Sequence, residues 1–87
     1  SKTPGEIQRL IADRIRTIRR RRKISQVKLS QLSGVSLGSV KRFERSGEIS
    51  FLSLIKIATA LELEEELEHL FVDVPPASIE EIIRGQD

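Results

Sequence analysis

Lys41, Arg42 and Arg45 stand close together in GVSLGSVKRFERSG, residues 34–47, just after Gly38 and Ser39. Cations at three- and four-residue spacing share one side of a helix, where they can meet phosphates or the O6 and N7 acceptors of guanine. Small residues one turn earlier let such a helix come close to base edges. The chemistry offered is recognition of a polyanion. Bond-making chemistry has little to work with: His69 is the one histidine, cysteine is absent, and no serine has a histidine and acid arrangement legible in the sequence. Glu62, Glu64, Glu65, Glu66 and Glu68 imitate paired acids, but exposed glutamate runs are ordinarily solvated. No catalytic residue, metal ligand or cofactor is expected, and the chain does not read as an enzyme.

The elements that must carry those cations follow from caps and apolar spacing. Thr3, Pro4 and Glu6 make a helix start of the capping-box kind, and Ile7, Leu10, Ile11, Ile15 and Ile18 form an apolar stripe ending near Arg22, with Arg14, Arg16 and Arg20 largely off it. Ser25 caps a second helix through Ser33, with Leu29 its firmest core residue and Gly34 its terminator. Ser36 caps a third, whose Val40 and Phe43 point inward with Val35, ending near Ser46 and Gly47. Ser50 caps a fourth, with Phe51, Leu54, Ala58 and Leu61 as a buried stripe widened by Ile55 and Ile57. Leu63, Leu67, Leu70 and Phe71 fall at helical spacing before Pro75 and Pro76, and Ser78 with Glu81 opens a last short helix edged by Ile79, Ile82 and Ile83. No strand pattern, repeat or low-complexity tract is evident.

Charge separates along the same chain. Residues 1–47 hold 13 cations against 3 acids, or +10, and residues 48–87 hold 2 against 10, or −8. A cationic half beside an acidic one suits phosphate binding on one side and discourages indiscriminate adhesion. The three aromatics are Phe43, Phe51 and Phe71, the first two on expected core stripes. That leaves no stacking platform for single strands or RNA, so double-stranded DNA is the better ligand. Eighty-seven residues predict one domain. No run of about 18 apolar residues suggests a membrane span, no signal-type stretch is seen at the start, and Ser1 in place of methionine fits a processed or trimmed chain. A cytoplasmic location is expected.

Two short helices around a glycine turn, the second with cations outward, form a helix-turn-helix pattern. SQVKLSQLSGVSLGSVKRFERSG, residues 25–47, resembles the Cro and phage-repressor class, the XRE-type regulators, and the likeness runs from about Ile7 to Leu61. It rests on Ser25-Gln26, Leu29, the GVS turn, Val40, Glu44 and the fourth-helix pattern SFLSLIKIATAL. The resemblance implies an all-α, compact five-helix lambda-repressor-like DNA-binding domain, here residues 1–72, followed by a short C-terminal helical tail, residues 73–87. It also implies a homodimeric regulator of bacterial or phage origin.

Carried over by position, the resemblance makes Gln26 a phosphate or recognition-helix contact, Leu37, Gly38 and Lys41 base-facing with Ser39 beside them, and Arg42 and Arg45 backbone or flanking-base contacts. Ser36, the cap, belongs to the same DNA-binding group. Arg19 and Glu44 become a structural pair. Leu63, Leu67, Leu70 and Phe71 serve core closure, the dimer interface, or both. Three departures stand out: Leu37 and Gly38 occupy positions where family members often carry polar readers, which leaves hydrogen-bond reading to Lys41 and a thymine-methyl contact to Leu37; Ser46 occupies a usual glycine position, with Gly47 one residue later; and Lys23 replaces a glycine before the second helix.

Other readings remain at this level. The run RRRRK, residues 19–23, suits a nuclear-localisation patch, a nucleic-acid arm or a solvated helix end whose cations favour the macrodipole. ASIEEIIRG, after Pro76, is amphipathic and too short to fold alone. It suits docking in a toxin's groove, as in an antitoxin, or packing on its own domain or dimer mate.

Overall fold

Hydroxyl side chains start most of the helices in the computed structural model, which describes residues 1–86. Asp87, the last residue of the expected tail, lies outside the described residues. Helix α1 spans Pro4–Arg21, α2 Gln26–Ser33, α3 Leu37–Ser46, α4 Phe51–Ala60, α5 Glu64–Glu68 and α6 Ile79–Arg84. The hydroxyls of Thr3, Ser25, Ser36, Ser50 and Ser78 each accept a bond from a first-turn backbone N–H, at 3.0–3.2 Å. Thr3 and Glu6 bond reciprocally, and the Thr3 backbone N–H and hydroxyl hold the Glu6 carboxyl below its ordinary pKa.

The first four helices stop where the chain turns left-handed. Gly34 and Gly47 close α2 and α3 at φ 74° and 83°. Lys23 makes the corresponding turn after α1 at φ 57° with no glycine to ease it. Gly47 carries a second constraint, since a Cβ there would lie 3.0 Å from the backbone carbon of Gln8. It is the point where the α3–α4 loop meets α1.

Four helices enclose the core: α1 packs on α3, α3 on α2, α2 on α4, and α5 on the end of α4. Ala12, Ile15, Leu29, Val35, Val40, Phe43, Ile57 and Leu61 are buried together, and Ile24, Ile49, Leu54, Ala60 and Leu63 pack against them from partly exposed positions. At about 1.5–3 kcal/mol for each large apolar side chain taken out of water, Phe43, Leu29 and Ile57 are the main contributors.

Three expectations of the sequence are corrected here. Helix α1 buries Ala12, Ile15 and Arg19, whereas Ile7 and Ile11 are exposed and Leu10 and Ile18 half-buried, because its main packing is against α3 alone of the helices it meets. Phe51 is 65% exposed. It stands at the first position of α4, on the rim of a shallow groove formed with Gln8, Ile11, Phe43, Ile49 and Leu54, and that groove is not filled. The acidic segment does not stay helical to Pro75: α5 ends at Glu68, and Phe71 takes a left-handed φ of 64°, which no continuing helix tolerates.

Every residue from Glu68 to Gln86 is exposed. The radius of gyration is 16.1 Å, against about 12 Å expected for a compact chain of this length. The long dimension is 49 Å against 25 and 22 Å across, and the exposed tail adds nothing to the core.

Candidate nucleic-acid interface

The two helices that would meet DNA are held at a fixed angle by their turn. Gly34 reverses the chain, Val35 plugs into the core at 5% exposure, and two serine hydroxyls tie the turn down: Ser30 Oγ donates to Val35 O at 2.6 Å, and Ser33 Oγ accepts from Val35 N at 3.1 Å. Ser36 then caps α3 and bonds the Ser39 hydroxyl at 2.9 Å. Gly38, Lys41, Arg42 and Arg45 follow at i, i+3, i+4 and i+7, and all four are exposed. Val40 and Phe43 anchor the opposite side at 0% and 2% exposure. Leu37 and Ser39 are half-buried on the two shoulders between.

A buried ionic knot sets where α3 sits. Arg19 Nε and Nη2 donate to Glu44 Oε2 and Oε1 at 2.7 and 2.9 Å, while Arg19 Nη1 donates to Ile24 O at 2.7 Å. Gln26 Nε2, from the first residue of α2, also donates to Glu44 Oε1, at 3.0 Å. Arg9 Nη1 reaches the Glu44 backbone carbonyl at 3.2 Å. One carboxylate therefore joins α1, α2 and α3, and every buried polar side-chain atom among the described residues has a partner. Gln26, read as a phosphate or recognition-helix contact, is engaged with the recognition helix.

The cations of α3 do not share one surroundings. Lys41 and Arg45 line a cleft with Gln26, Glu44 and Arg16 of α1. Arg42 lines another toward α4, with Ser39 of α3, Glu48, Ile49 and Ser50 of the loop, and Ser53 of α4. Recognition helix and flanks thus present cation, open glycine edge and cation in succession across about the width of one helix.

Arg16 and Arg9 were not among the site residues expected from sequence. In the sequence Arg16 is one more cation off the apolar stripe; its signal is its place three residues before Arg19, on the neighbouring side of the same helix. The RRRRK run divides as well: Arg19 is buried, Arg22 donates through Nη1 to the Leu61 carbonyl at the end of α4, and Arg20, Arg21 and Lys23 are exposed. The expected interface residues separate too, with Leu63 and Leu67 half-buried and Leu70 and Phe71 at 46% and 83% exposure.

Two short helices joined by a rigid glycine turn, the second bare and cationic outward, define a helix-turn-helix protein. The helix-turn-helix family profile matches residues 15–67, and the chain belongs to that family, of the Cro/C1-type, XRE-like kind, whose members are DNA-binding regulators. Neither a curated protein nor a solved structure shows significant similarity to the chain. Among the described residues no helix is long and apolar enough to cross a membrane, and no group of histidine and acidic side chains is placed to hold a metal ion.

Proposed function

We propose that this protein is a sequence-specific transcriptional regulator, a repressor, that inserts α3 into the major groove of double-stranded DNA as a homodimer. The observation that carries the reading is the division of α3's cations between two clefts: Lys41 and Arg45 on the α1 side, Arg42 on the α4 side. A helix lying in a groove is flanked by two sugar-phosphate backbones, so a cation on each shoulder fixes register while the central edge reads bases. In this reading Gly38 is the centre of that edge, Ser36, Leu37, Ser39 and Lys41 border it, and Lys41 reads guanine while Leu37 touches a thymine methyl. Gln26 and the start of α2 complete the backbone contacts.

Dimerisation uses α5 and the turn after it. Leu70 and Phe71 are too exposed to serve this chain's own core, while Leu63 and Leu67 each keep one flank outward. A two-fold dimer then reads half-sites about 34 Å apart. The glutamates of α5 repel phosphate, which keeps this end away from the duplex.

The full exposure of Glu68–Gln86 favours a second activity beside the first: an antitoxin-like contact in which residues 73–87 dock on a protein partner. Such a segment buries nothing in its own chain and has apolar Ile79, Ile82 and Ile83 to offer.

Selection from random duplex DNA, followed by titration of the winner at several salt concentrations, tests the main reading. A two-fold enriched motif is expected, with log K falling against log salt at a slope of about −4 to −5 for four to six phosphates. A flat salt response would sink it. Co-purification tests the second activity: a stoichiometric partner lost on removing residues 75–87 supports the tail contact, and an intact complex places the contact elsewhere.

A further inference from the structure

Glu44 has more cations around it than its charge can use. Its two carboxylate oxygens already accept three bonds, two from Arg19 and one from Gln26. Arg16 Nε stands 3.8 Å from Oε1, beyond hydrogen-bond reach, and its side chain is 51% exposed where that of Glu44 is 4%. Among the described residues the Arg16 guanidinium makes no hydrogen bond, so all of its N–H donors are left for a ligand or water. Arg16, Lys41 and Arg45 line one concave opening in which Glu44 is the single acid, and Glu44 is neutralised from behind by Arg19. Three cations brought together around a spent carboxylate repel one another, and a bound oxyanion relieves that repulsion.

We propose that this cleft seats one phosphate of the DNA backbone, held between Arg16 of α1 and Arg45 of α3. The assignment rests on the DNA-binding reading above and extends it from the two-helix unit into α1. The guanidinium fork of Arg16 gives paired donors suited to two phosphate oxygens, and its helix is tied to the recognition helix through Arg19 and Glu44. A phosphate bound there therefore fixes the depth at which α3 enters the groove. Arg16 is a backbone-binding residue in this scheme, and its loss affects all duplex sequences alike.

The test compares the full chain with Arg16→Gln, Arg16→Lys and Arg45→Ala on the selected duplex and on a scrambled one, across a salt series, with the melting temperature of each variant recorded. Arg16→Gln is expected to weaken binding to both duplexes about tenfold at low salt and to flatten the salt slope by about 0.9 per protomer. Arg16→Lys keeps the slope, and both variants melt with the parent, because Arg19 and Gln26 still satisfy Glu44. An Arg16→Gln slope equal to the parent's, while Arg45→Ala flattens it, overturns the Arg16 assignment and leaves the DNA reading standing. A fall in affinity that follows only a fall in melting temperature overturns it too, as a structural role. A parent protein with no salt-dependent duplex binding overturns both. Inorganic phosphate titrated against the arginine Nε signals supplies the remaining arm: phosphate binding with no effect of Arg16→Gln on the duplex makes the cleft a free-anion site and overturns the backbone assignment.

Discussion

Arg19 and Glu44, 25 positions apart in the sequence, face each other through two parallel bonds of 2.7 and 2.9 Å in the middle of the domain, with 8% and 6% of their surfaces exposed. The pair joins the basic helix α1 to the recognition helix, so the element that would read DNA is oriented by a charge pair as well as by apolar packing. Removing either partner leaves the other charge buried and only partly compensated, Glu44 by Gln26 and the more distant Arg16, Arg19 by the Ile24 carbonyl. Glu44→Ala and Arg19→Ala are each expected to cost about 3–5 kcal/mol, enough to unfold much of a domain this small at ordinary temperatures. Replacing both with apolar residues of similar size, Arg19→Met with Glu44→Leu, costs less than either single change. Urea denaturation of the three variants checks the order; a double variant weaker than both singles would refute it.

The two left-handed glycines should respond unequally to alanine. Both are strained by a Cβ at positive φ, by about 1–2 kcal/mol. A Cβ at Gly34 meets nothing within 4 Å, whereas one at Gly47 meets three atoms of Gln8 at 3.0–3.1 Å, two of them backbone. Gly34→Ala is expected to show the conformational cost alone, and Gly47→Ala to add the displacement of α1 from the α3–α4 loop. Thermal melts showing the same loss at both positions would contradict the crowding at Gly47.

Substitutions on the outward side of α3 should separate binding from folding. Gly38 is exposed and a Cβ there meets nothing, so Gly38→Ala is expected to hold or raise stability by up to about 1 kcal/mol, as glycine-to-alanine changes in a helix interior do. Any effect it has on DNA affinity then reports contact at the groove. Lys41→Ala should relax base preference, and Arg42→Ala should weaken matched and scrambled duplexes equally. Competition binding on both duplexes measures the difference; identical behaviour of the two variants would remove the division of roles between edge and shoulder.

Loss of the tail should leave the domain intact. Since no residue from Glu68 to Gln86 is buried, a chain ending at Val74 is expected to melt within a few degrees of the full chain. Its self-association and its capture of any partner are the properties to compare, by sedimentation and co-purification. A large drop in melting temperature would mean that residues 75–86 pack on the core.

Local signals were the most legible part of the sequence. Ser25, Ser36 and Ser50 mark helix starts, and Gly34 and Gly47 mark ends, because a cap is made within three or four residues and needs no knowledge of the rest of the fold. Gly47 closes α3 where Ser46 stands in the usual glycine position; Ser46 stays helical, its hydroxyl donating to Arg42 O at 2.8 Å. The cationic side of α3 was legible for the same reason, since four residues at helical spacing share a face whatever lies behind them.

What the tertiary structure decided is which of several apolar or charged faces meets a neighbour. Ile11 and Phe51 have the composition of core residues and stand exposed, because α1 and α4 rest on α3 and α2 and leave a groove open between them, and Ile7, one turn earlier in α1, is exposed as well. Leu70 and Phe71 lie beyond the end of α5, where Phe71 turns left-handed. Arg16 is one of nine Lys and Arg residues in the first 23 positions, and only the folding of α1 against α3 puts it at the mouth of the cleft with Lys41 and Arg45. Periodicity along a chain fixes which residues share a face. Only packing between elements far apart in sequence settles whether that face looks inward, at DNA, or into water.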